Sequence, residues 1–127
     1  MDIRKYNLDG EWLTFDVDTT IDIGQMKFKV QPIWLMDIER AAKDIEEMTS
    51  LCSRAVVEWD LTDGDHPLKC TADNKHKYLG KFLTFAVAKL NGEPLTKELD
   101  GEKVPRQINI GLAILEFCSE PNNFIKK

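Results

Sequence analysis

The chain has 127 residues and a mass of 14.6 kDa, enough for one domain with its own core. Hydrophobic residues at 43% and charged residues at 31% exclude a disordered or collagen-like chain, because enough apolar surface is present to offset the ordering entropy. With 17 basic against 22 acidic side chains the net charge is −5, which argues against nucleic acid or an anionic membrane surface as the main ligand.

The opening Met1-Asp2-Ile3-Arg4-Lys5-Tyr6-Asn7 is polar and carries no apolar signal core. Cys52, Cys70 and Cys118 are odd in number and widely spaced, so reduced thiols and a cytoplasmic address are expected. No run approaches the ~18 apolar residues that a membrane helix requires, so no membrane span is expected.

Residues 11–18 alternate at period two, with Leu13, Phe15 and Val17 on one face, and predict a strand. Met26, Phe28 and Val30 predict a second strand, and the connection 19–25 between them has room for a short third. From Trp34 to about Ser53 apolar residues fall at Leu35, Ile38, Ala41, Ile45, Met48 and Cys52, the period of an amphipathic helix. Residues 54–61 carry Val56, Val57 and Trp59 and fit either a strand or a continuation of that helix.

Asp63-Gly64-Asp65-His66-Pro67 is a turn by composition, and Thr71 is placed to cap a helix over 72–90 that Gly80 can split in two. Asn91-Gly92 ends that helix, and the polar stretch 91–105 is expected to be a mobile loop. A last helix over 106–119 carries a stripe of Ile108, Leu112, Leu115 and Cys118. The tail 120–127 is expected to fray. The pattern is α+β: a small N-terminal antiparallel β-hairpin or meander, 11–31, packs on three to four helices within 34–119, all in one domain, 1–127.

Three groupings bear on chemistry. The acidic turn after Asp60 lacks the ligand spacing and distal glutamate of a calcium loop. His66, Cys70 and His76 are separated by three and five residues, and a zinc site would need Cys52 as a fourth ligand. A cysteine–histidine nucleophile lacks any supporting local motif. No catalytic residue, metal ligand or cofactor is therefore assigned. The last helix is different, because Ile110, Ile114 and Phe117 widen its apolar band beyond one core contact. These three, followed by Phe82 and Phe85, are the expected partner-binding patch.

The segment from Arg54 to Asn74 resembles the signature of small bacteriophage tail assembly chaperones. It holds a Val56-Val57-Glu58-Trp59 segment, an Asp63-Gly64 turn closing on Pro67, and a Cys70-Thr71-Ala72-Asp73-Asn74 helix start. The likeness covers 54–90, extends in looser form over 11–53 and does not reach 91–127. The turn carries one residue more than the Asp-Gly-x-Pro of the family.

The resemblance implies a non-enzymatic, cytoplasmic protein of a phage or prophage. It would shield a tape-measure protein and recruit tail-tube subunits, with homo-oligomerisation left open. The alternatives are a small regulatory or adaptor protein of a host or mobile element that binds another protein, and a minor zinc module.

Overall fold

The alternation at residues 11–18 is realised as an antiparallel ladder. A computed structural model describes residues 2–17, 24–34 and 37–127. In it β1 (Glu11–Val17) pairs with β2 (Gln25–Val30) in the register Leu13↔Phe28 and Phe15↔Met26. Period two sends Leu13, Phe15, Met26, Phe28 and Val30 to one buried face. Trp12, Lys27 and Lys29 remain on the other. The short strand expected at 19–25 falls mainly on 19–23, outside the described residues, as does Leu35 of the expected helix stripe.

The helix expected over 34–53 is two helices. Both α1 (Ile38–Lys43) and α2 (Ile45–Ala55) start on aspartate caps. Asp44 stands between them in an extended conformation, and its carboxylate accepts from the amides of Glu46 at 3.0 Å and Glu47 at 3.3 Å. Those bonds satisfy two orphan amides of α2, at the cost of breaking the run.

The chain then enters β3 (Val56–Trp59), which pairs with β2, and a tight hairpin of β4 (Thr62–Asp63) and β5 (His66–Pro67). A helical stretch follows, with α3 (Ala72–Asn74), a π turn (Lys75–Leu79) and α4 (Gly80–Leu83) in sequence. It stops at Leu83 and not at residue 90. Residues 87–90 become β6 (Val87–Leu90), which pairs with β1 through Phe15↔Leu90. Had they stayed helical, Phe15 would lie on an open sheet edge.

The stretch 91–105 is ordered β structure, contrary to the expected loop. After an Asn91-Gly92 turn, β7 (Glu93–Pro94) adds to β6. A separate hairpin of β8 (Thr96–Leu99) and β9 (Glu102–Pro105) then turns at Asp100-Gly101. All four turn residues have positive φ, between 51° and 83°, as two-residue hairpin turns demand.

The last helix, α5 (Ile110–Ser119), begins on the Asn109 cap. The tail does not fray. A 3-10 turn (Pro121–Phe124) buries Phe124 completely, and Tyr6 bridges Ile125 as the two terminal segments pair.

The main sheet has the order β3-β2-β1-β6-β7, mostly antiparallel, and the fold is α+β. Its inner face joins Met48, Leu51 and Cys52 of α2 and Ile110, Ile114 and Leu115 of α5 in one hydrophobic cluster. Helices α2 and α5 cross at Gly111, where a Cβ would stand 2.6 Å from the Met48 sulfur. Gly10 is equally constrained. Its φ is +117° and a Cβ there would meet the Val30 carbonyl oxygen at 2.6 Å. No helix among the described residues is long and apolar enough to cross a membrane.

Candidate interaction surface

The expected patch does not stand as one surface. Ile110 and Ile114 are fully buried, as are Leu115 and Cys118 of the stripe, and this corrects the assignment of Ile110 and Ile114 to a partner face. The wide apolar band of α5 has another cause: the helix is enclosed by α2, α1, α4 and the C-terminal turn, and a helix apolar all round is an interior helix.

Phe82 and Phe85 are half-buried, tilted against each other at 6.2 Å. Phe82 also borders a cavity of about 190 Å³ together with Leu61, Leu68 and Tyr78, beneath the β4–β5 hairpin. Phe117 is half-buried, stacked edge-on against Phe124 at 5.4 Å. The patch thus divides between core and margin.

Phe117 leads to a feature that periodicity did not single out. It lines a cavity of about 200 Å³ with Leu90, Leu95 and Ile108, at the root of the β8–β9 hairpin. In that hairpin Lys97 faces Val104 and Leu99 faces Glu102. Directly opposed residues share a face, so Leu95, Val104 and Leu99 form an apolar line from the root toward the tip. Leu99 is 57% exposed, and Val104 is the single residue of the two strands that is even half-buried.

The root is held in two ways. Arg106 donates its backbone amide to Leu95 at 2.9 Å, and its guanidinium forms a two-pronged ion pair with Glu116 of α5. The fork geometry fixes orientation as well as distance. The hairpin is therefore a projecting arm on a fixed base.

A second exposed apolar group lies at the paired termini. Tyr6 packs edge-on against Trp34 at 5.6 Å, and Ile3, three residues before it, and its bridge partner Ile125 are exposed. Trp12 is exposed on the outer sheet face, where Lys29 lies 3.8 Å from Glu58.

The residues of the family-like segment act within the fold. Val56 and Trp59 are core, and the Trp59 indole donates to the Leu68 carbonyl at 2.6 Å, tying down the hairpin that follows. The Thr71 hydroxyl accepts from the Asn74 amide at 3.2 Å, and the Asn74 side chain donates to the Lys69 carbonyl at 2.7 Å. These residues build a strand-to-helix connection.

The zinc grouping does not assemble. His66 and His76 are exposed, and Cys52 is buried with its thiol donating to the Gly111 carbonyl at 3.4 Å. Among the described residues no three histidine, cysteine or acidic side chains gather around a metal position. Burial holds the Cys118 thiol up at about 12 and pushes Cys52 higher still, with the adjacent Cys118 adding to the rise. Burial also raises Cys70, against the pull of Lys75. All three thiols are kept protonated at neutral pH, which is unsuited to nucleophilic chemistry. Compared with known proteins, the chain matches no family model, no curated protein and no solved structure.

Proposed function

We propose that this is a non-enzymatic protein-binding factor of the phage tail assembly chaperone kind, acting in the bacterial cytoplasm to cover apolar segments of a tape-measure protein. The observation that carries the reading is the β8–β9 arm. A two-stranded hairpin with nearly every residue exposed is marginal in water, and it gains when a partner covers it. Its apolar line through Leu95, Val104 and Leu99, with Phe117 at its base, offers that partner a contact.

The acidic balance of −5 suits a chaperone that must stay dispersed while presenting apolar side chains. The likeness of residues 54–90 to tail chaperones supports a tape-measure protein as the partner, and the exposure of the arm supports docking there.

The test is co-expression with a tape-measure protein, a long coiled-coil-rich chain. Retention of that protein in soluble form, with co-purification, is the expected result when it is insoluble alone. If it remains insoluble and is not captured, the chaperone reading fails.

A further inference from the structure

Helix α2 and the stretch 72–83 lie side by side with opposed directions. At one end the Lys75 ammonium donates to the Ser53 carbonyl at 2.8 Å. At the other, a Cβ on Gly80 would stand 3.6 Å from the Thr49 methyl. Between them runs an open groove of about 670 Å³. It shares no residue with the arm surface, so the two surfaces can be tested separately.

The lining has two parts. Ile45, Ala72, Gly80 and the Thr49 methyl give it an apolar surface, and Ile45 is 57% exposed, an unusual position for isoleucine. Around that surface stand Arg54, Lys75 and His76, opposed by Glu46 as the one acid of the lining. The stretch 75–81 carries three lysines and His76 and no acid, in a chain whose net charge is −5. The π turn at Lys75–Leu79 supplies two of these groups from adjacent positions. Such turns are uncommon, and those that occur are often at functional sites.

The size and the charge together select the occupant. No charged side chain of the lining is fully buried, so a small oxyanion would stay hydrated and gain little. A peptide with apolar side chains on one face would bury the floor and bring carboxylates to the basic rim. From Ile45 to Arg54 the α2 wall extends for about 14 Å, room for two to three turns of a helix laid between two others.

We propose that this groove docks an acidic amphipathic segment of a partner protein, with its carboxylates against Arg54, Lys75 and His76. Arg54 is the main determinant accessible to mutation, because its side chain is exposed while Lys75 is tied to α2.

The experiment is fluorescence anisotropy with a labelled model peptide of leucine and glutamate in amphipathic spacing, about 15 residues long to exceed the groove. A second peptide replaces every glutamate by lysine. The expected result is saturable binding of the acidic peptide alone, weakened at least about tenfold by Arg54→Glu and weakened by salt, as screening requires. Thermal melting of the variant should match that of the parent. Should Arg54→Glu fail to fold, Arg54→Gln takes its place and should weaken binding in the same direction. The proposal is overturned if the acidic peptide does not bind, if the lysine peptide binds equally, or if neutralising Arg54 leaves affinity unchanged. Displacement of the peptide by an equal concentration of inorganic phosphate would also overturn it, since the groove would then be an anion site.

Discussion

Ile114 shows how a single side chain changes meaning between sequence and structure. In sequence it widens a helical stripe and suggests a surface contact, whereas in the fold it is fully buried against the core cluster. Ile114→Asp should therefore unfold the protein by placing an unpaired carboxylate in the interior, a loss above about 4 kcal/mol on denaturant titration. A variant of near-normal stability would return Ile114 to the surface. The buried thiols give a second residue-level expectation. Burial raises Cys118 from 9.0 to about 12, so the folded state holds that proton more tightly than the unfolded chain does. The stabilisation is complete below pH 9 and is lost as pH climbs from 9 toward 12. Denaturation midpoints across that range should fall for the parent and fall less steeply for a variant with Cys52→Ala and Cys118→Ala. Parallel curves would show that these thiols do not govern the alkaline loss.

At the scale of elements, legibility depended on whether a local signal had one meaning or two. The first two strands were legible because strict alternation has a single reading, and β1 and β2 form over the expected residues. The division of the helix at Asp44 was equally present in Asp44-Ile45-Glu46-Glu47, an aspartate cap with glutamate three residues later, but the apolar period runs across it. Asp44→Ala should leave the Glu46 and Glu47 amides without the one carboxylate oxygen they share and cost about 1 kcal/mol, read as a shift in the denaturation midpoint. An unchanged midpoint would mean that water or a neighbour satisfies those amides equally well. Asn91-Gly92 was ambiguous for a different reason. The left-handed backbone it adopts serves both a helix end and a hairpin turn, and only pairing decides between them. Here Asn91 exchanges bonds with Thr14 of β1, donating its amide at 2.8 Å and accepting through its side-chain oxygen at 2.8 Å. That long-range contact, 77 residues apart in sequence, has no local signature. The arm was missed in the same way, since Asp100-Gly101 lies in a polar stretch without a buried face to mark it.

For the whole molecule, the two edges of the main sheet are both blunted. A register shift interrupts the pairing of β3, and β7 is two residues long and ends in Pro94. Such edges discourage unspecific strand pairing. The β8–β9 arm stands apart from that sheet, fixed at its root by Arg106 and Glu116 and exposed toward its tip. That contrast between guarded edges and a projecting apolar line is the basis of the protein-binding reading. Periodicity grouped Phe117 with Ile110 and Ile114 of the same helix, whereas the fold buries those two and sets Phe117 beside the root of the arm. The decisive measurement is the affinity of the purified partner for the parent and for Leu99→Asp, with thermal melting of both recorded alongside. Leu99 is exposed at the arm tip, so the substitution should leave the melting temperature within a few degrees. Binding should weaken at least about tenfold, the loss of one well-covered apolar contact. Equal affinity in the two proteins would remove the arm from the binding surface, and no binding to the parent would contradict the protein-binding reading.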